Sequence, residues 1–269
     1  MTSQKPSRRV GLARALSKLG YCSRSDASDL IRTGRVRLNG TTCREPEAPV
    51  RLGKDRIAVD ARAVATAAKV YLMLNKPRGV VTTASDEKGR QTVYAFLEEK
   101  LPWVGPVGRL DKASEGLLLL TNDSEWAAQL MAPATHLDKT YHVQIGRVAD
   151  AELLESLTRG VRTKEQDFLR VSSARVLRAG QRNSWLEIVL DEGKNRHIRR
   201  MLEHLGVEVL RLVRVAVGPL ALGQLPKGGV RSLSAEEKKA IDRRLKYRSL
   251  EDRSSEGRVA RVTSGVTES

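Results

Sequence analysis

The stretch GPVGRLDKASEGLLLLTND, residues 105–123, sets a turn-prone lead-in directly against an apolar run. Gly105, Pro106 and Gly108 punctuate the lead-in, which carries Arg109 and Asp111. The run 117–120 is apolar without alternation and reads as a strand buried on both faces. Two ionisable groups thus stand at the mouth of a rigid element, where loops commonly place reactive side chains. Periodicity alone favours a plainer reading, a surface turn with a local Arg/Asp pair beside a core strand. Outward from this stretch, strands are expected at 71–75, 140–145, 168–177, 185–191 and 207–217, and helices at 92–97, 124–131, 151–159 and 196–205. Strands outnumber helices and often follow one another with no crossover helix. The expected class is therefore α+β, with a mixed, mainly antiparallel sheet rather than a doubly wound one.

Charge separates this region from what precedes it. The 269 residues carry 48 Lys and Arg against 32 Asp and Glu, a net +16, with a pI near 10.2. A chain this basic attracts polyanions, either nucleic acid or an anionic membrane surface. No apolar run approaches the roughly 18–20 residues that span a bilayer, and the basic N-terminus, MTSQKPSRRVGLARALSKLG, has no apolar signal core, so a cytoplasmic protein is expected. Cys22 and Cys43 fit a reducing compartment as small core-filling residues. With no His before His136, and no metal spacing among His136, His142, His197 and His204, no metal site is expected.

Residues 1–60 hold 13 basic and 6 acidic residues, whereas 70–235 hold 24 and 19. Leu12, Ala15, Leu16 and Leu19 recur at helical spacing, and Gly20 stands where a left-handed cap belongs. A second helix starts near Ser23 or Ser25 and stops at Gly34. The period then becomes alternating through Arg35, Val36, Arg37 and Leu38 to the tight-turn pair Asn39-Gly40, and 56–60 makes another strand. Residues 61–69, ARAVATAAK, read as a linker. The domains are thus expected at 8–60 and 70–235, and the charged tail, 236–269, is expected to be disordered, although 235–246 could begin as a helix.

The N-terminal run RALSKLGYCSRSDASDLIRTGRVRLNG resembles the S4 RNA-binding domain, whose elements it repeats in order. The resemblance implies an α/β module that presents basic side chains to structured RNA, with Arg24, Arg35 and Arg37 as phosphate contacts. The string GRLDKASEGLLLLTND in turn resembles the catalytic signature of RsuA/RluB-type pseudouridine synthases, which pair it with an S4 domain. Four further segments are similar to the same family: Lys76-Pro77-Arg78-Gly79-Val80, Lys139-Thr140-Tyr141, EGKNRHIRRM at 192–201 and RVAVGPL at 214–220. His197 departs from the Gln or Glu more usual there, and Ser124 from the Gly that commonly follows the TND.

That family isomerises uridine to pseudouridine in ribosomal RNA without a cofactor. The resemblance implies Asp111 as the reacting carboxylate, Arg199 as the guanidinium that keeps it charged, and Tyr141 as the ring that stacks on the base. Arg109 is implied to hold the gap left by a flipped-out nucleotide. Arg199 and Arg200 point about 100° apart on a helix, so Arg200 is assigned to RNA phosphate. Asp111 could attack C1′ or take the C2′ proton, and the sequence leaves both routes open. The expected enzyme is a monomer acting on ribosomal RNA, with the large subunit preferred. A small-subunit enzyme, or an RNA-binding or ribosome-assembly protein without catalysis, are the alternatives.

Overall fold

The structure, a computed structural model, describes residues 9–84, 86–163 and 166–246. These form two compact units. One takes in 9–71 with 97–106 and 120–125; the other holds 72–96, 107–119 and the chain from 126.

In the first unit, α1 (Leu12–Lys18) and α2 (Arg24–Arg32) pack through the stripe the spacing indicated. Leu12, Ala15 and Leu16 are fully buried with Ala27, Ile31, Val36 and Val50. Ser23 caps α2, its Oγ accepting from the Asp26 amide at 3.1 Å. The sheet runs β2-β1-β3-β4, where β1 is Val36–Leu38, β2 Thr41–Thr42, β3 Ile57–Val59 and β4 Arg62–Ala63. Asn39 and Gly40, at φ 52° and 90°, supply the two left-handed residues of the β1–β2 turn. Cys22 and Cys43 are half-buried against this core.

Residues 61–69 are more ordered than a linker composition suggests. Arg62–Ala63 extends the sheet, and the Ala67 amide donates to the Leu19 carbonyl. Asn122 then clamps the segment, accepting from the Val70 amide at 2.9 Å and donating to the Ala68 carbonyl at 2.7 Å. Small residues at 63–68 let the backbone lie close enough for these bonds.

The large sheet has the order β8-β9-β7-β10-β6-β5-β11. Its strands are β5 (Tyr71–Lys76), β6 (Glu115–Thr121), β7 (Lys139–Ile145), β8 (Ser173–Ala179), β9 (Ser184–Leu190), β10 (Val209–Val217) and β11 (Val230–Ser232). β7 pairs antiparallel with both β9 and β10, whereas β6 and β10 run parallel, so the sheet is mixed and mainly antiparallel. All seven residues of β6 are buried, as its unbroken apolar run requires. The helices are α3 (Ser124–Met131), α4 (Ala151–Arg159) and α5 (His197–His204). Among the described residues no helix is long and apolar enough to cross a membrane, and no cluster of His, Cys, Asp and Glu could hold a metal.

Three elements differ from expectation. The strand expected at 168–177 divides into Phe168–Leu169, which pairs with Val161–Arg162, and β8. The helix expected at 92–97 is a short 3-10 turn, Val93–Phe96. The globular chain also passes 235: residues 235–246 are helical, with Ile241 and Leu245 buried and Asp242 accepting from Trp126 Nε1 at 3.0 Å. The high charge density of this segment hides a narrow apolar stripe. The rest of the tail lies outside the described residues.

Candidate active site

Asp111 lies in the loop entering β6, and backbone bonds fix that loop more than its own side chain does. The Gly79 amide donates to the Lys112 carbonyl at 2.7 Å, and Thr82 Oγ1 donates to the Leu110 carbonyl at 2.8 Å. The Ser114 amide closes a turn onto the Asp111 carbonyl at 2.9 Å. Beneath this, the fully buried Lys76 Nζ donates to the Pro77 and Val80 carbonyls at 3.0 and 2.8 Å, shaping the 77–80 turn that holds the loop. Burial pulls the Lys76 pKa down to about 8, against the opposing pull of Asp111 and Glu115.

A cleft of about 670 Å³ opens over the loop. Asp111, Arg109, Tyr141 and Arg199 all line it, so the structure brings together residues separated by up to ninety positions. Tyr141 is 8% exposed and follows an irregularity in the β7–β10 register between Thr140 and Tyr141, the kind of bulge that re-aims a side chain. Arg199 Nη2 donates to the Ala113 carbonyl at 3.0 Å, touching the same loop. Burial works against its charge, and the Asp111 carboxylate favours it. The two groups are thus coupled through space, with no ion pair within 4.0 Å joining them.

Lys139 and Arg214 also line the cleft, and neither was singled out from sequence. Burial, helped by Arg214, lowers the Lys139 pKa. Arg214, 6% exposed, spends its Nε–H on the Leu117 carbonyl at 2.7 Å and ties β10 to β6. Glu115, at the foot of β6, is bound by Arg211 at 3.0 Å and Lys227 at 2.9 Å. Burial alone would raise its pKa, and the bonds from Arg211 and Lys227 outweigh that and lower it. Buried charged residues in strands carry no periodic signal. Only the literal motifs around them could have pointed to these two.

The model of the RNA pseudouridylate synthase family matches residues 70–204, and that of the S4 domain matches 10–57. The ribosomal large subunit pseudouridine synthase B of Bacillus subtilis (strain 168) is 38% identical over 86% of this chain and 94% of its own. The chain belongs to the RNA pseudouridine synthase family. An uncharacterised RNA pseudouridine synthase of Rickettsia prowazekii (strain Madrid E) is also 38% identical, over 83% of this chain and 94% of its own. A crystal structure of a pseudouridylate synthase superposes with a TM-score of 0.60 at 26% identity, over 86% of this chain and 99% of that one.

In this pseudouridine synthase the four arginines expected to meet RNA fall into two groups. Arg24 and Arg37 are exposed, and their side chains have no partner among the described residues. Arg35 is paired with Asp60, its Nε donating at 2.9 Å, and Arg200 with Asp167 at 2.6 Å and Thr163 at 3.2 Å. Arg200 does not line the cleft.

Lys76 makes a pH prediction for the synthase. Its folded pKa, about 8, lies below the ordinary 10.5, so between those values the unfolded chain holds a proton that the folded chain has released. Stability from this group therefore rises as pH goes from 8 to 10.5, and its full penalty applies below 8. Urea unfolding of wild type and Lys76→Met across that window is expected to show the wild type gaining on the order of 1 kcal/mol or more relative to the variant. A pH-independent difference would remove Lys76 as a buried charge.

Proposed function

We propose that the enzyme converts one uridine of large-subunit ribosomal RNA to pseudouridine in the cytoplasm, as a monomer, with no cofactor. The observation that carries the substrate is the 38% identity to the Bacillus large-subunit enzyme, which spans both domains. In this reading the first unit docks on folded RNA, Arg24 and Arg37 meeting phosphate directly. Arg35 and Arg200 would meet phosphate only by exchanging Asp60 and Asp167 for it.

The nucleotide flips into the cleft and Arg109, exposed at the rim, holds the space it leaves. Tyr141 stacks on the uracil. Asp111 acts at the ribose, by attack on C1′ or by removal of the C2′ proton, and Arg199 keeps its carboxylate charged. The N1–C1′ bond breaks, the base turns, C5 bonds to C1′, and the C5 hydrogen leaves as a proton while N1 gains one. No redox step occurs, and the atoms balance without a co-reactant.

Transcripts of large- and small-subunit RNA labelled with tritium at uridine C5 test the assignment. Release of about one equivalent per large-subunit transcript is expected. Release only from the small-subunit transcript would move the substrate, and tight binding with no release from either would favour an assembly role.

A further inference from the structure

Four described residues bury side-chain polar atoms without a hydrogen-bond partner: Ser114 Oγ, Trp185 Nε1, both ring nitrogens of His197, and Arg199 Nε. All but Trp185 line the one cleft. A buried polar atom left unpaired costs about 1–3 kcal/mol, so a cluster of them in a cleft marks where a ligand supplies the missing partners. His197 is the one whose function the reaction chemistry does not already use. It is 3% exposed, opens α5, and stands two residues before Arg199.

Burial lowers the His197 pKa; Glu192 opposes this, and Lys194 and Arg200 reinforce it. The ring is therefore neutral at physiological pH, with one N–H and one bare nitrogen. The Arg170 carbonyl lies near enough to favour a proton on the ring, though outside hydrogen-bond geometry. A carbonyl can only accept, so it selects the tautomer whose N–H faces it and leaves the opposite nitrogen as an acceptor.

We propose that His197 is a substrate-contacting, specificity-determining residue whose bare ring nitrogen accepts the N3–H of the flipped uracil. The assignment rests on the reading that a uridine enters this cleft. Uracil carries a proton at N3 and cytosine carries a lone pair there. The same acceptor that pairs with uracil thus faces a second lone pair when cytosine is offered, and a buried polar group left unmatched discriminates strongly. Glutamine, more usual at this position in the family, can also accept through its amide oxygen.

The test uses the full-length enzyme and a synthetic stem-loop spanning the uridine mapped by tritium release. That uridine is compared with 3-deazauridine, which has C–H in place of N3–H. Wild type is expected to bind the 3-deazauridine stem-loop about 10-fold more weakly. His197→Leu is expected to bind both equally, at the weaker level, with His197→Met as a second apolar replacement of different shape. His197→Gln should restore the preference, which a merely structural role would not predict. Equal binding of the two RNAs by wild type, or an undiminished preference in a folded His197→Leu or His197→Met enzyme, overturns the proposal. Lack of tritium release by wild type would instead overturn the reading of the cleft.

Discussion

Asp111→Asn is expected to lower the single-turnover rate by about 10⁴-fold or more, leaving RNA affinity and thermal stability near those of wild type. The separation follows from how Asp111 is held. Its loop is fixed by the Gly79–Lys112, Thr82–Leu110 and Ser114–Asp111 bonds, none of which uses the carboxylate. The carboxylate itself has no hydrogen bond or ion pair among the described residues. Asparagine keeps the shape and removes the charge, so folding loses little. The reaction loses its nucleophile or base outright, an effect worth about 5 kcal/mol or more in the barrier. Removing the anion also relieves Arg199 and Lys76 of the one charge near them that favours their protonated forms. Quenched-flow measurement of pseudouridine in the mapped stem-loop decides the matter. A rate within about 100-fold of wild type would pass the role to one of the two other acids lining the cleft, Asp191 or Glu192.

Much of this arrangement was legible in the chain, for reasons that differ by level. The helices of the first unit could be read because Leu12, Ala15 and Leu16 keep a 3.6-residue period, and the turn because Asn39-Gly40 adopts φ values few other pairs tolerate. β6 could be read as doubly buried from its composition alone. The cleft could not. Asp111, Tyr141 and Arg199 come from three separate elements, and no local pattern says that they meet; a family motif carried that information. Motifs in turn say nothing of ion pairing, which is why Arg35 and Arg200 were expected to be available to phosphate and are found with Asp60 and Asp167. The stripe of Ile241 and Leu245 was masked by the charges around it, and the order in 61–69 depends on Asn122, far away in sequence.

Gly116→Ala is expected to destabilise the enzyme by about 3–5 kcal/mol, the largest loss among single-methyl additions at its glycines. Two costs coincide there. Gly116 has φ +100°, which an L side chain rarely adopts, a strain of about 1–3 kcal/mol. A Cβ would also stand 2.2 Å from the Arg214 carbonyl oxygen and 2.8 Å from its amide nitrogen. That obstacle is backbone and cannot turn aside, because Arg214 lies on β10 between β7 and β6, paired with Tyr141 on one side and Gly116 on the other. Overpacking of this kind adds about 1–3 kcal/mol. With each kcal/mol worth about 2–4 °C in a protein of this size, calorimetry should show Tm lower by roughly 10–15 °C. Gly223→Ala separates the two costs: Gly223 has φ +60° with nothing within 4 Å of an added Cβ, so only the backbone strain applies. If Gly116→Ala and Gly223→Ala proved equally mild, the close approach of β6 to β10 would be wrong. If Gly116→Ala is the more damaging, its effect should reach the chemistry as well. The strand it displaces carries the Arg214 bond to Leu117 and sets the register beside Tyr141. Turnover at temperatures below the new Tm should then fall by more than the folded fraction alone explains.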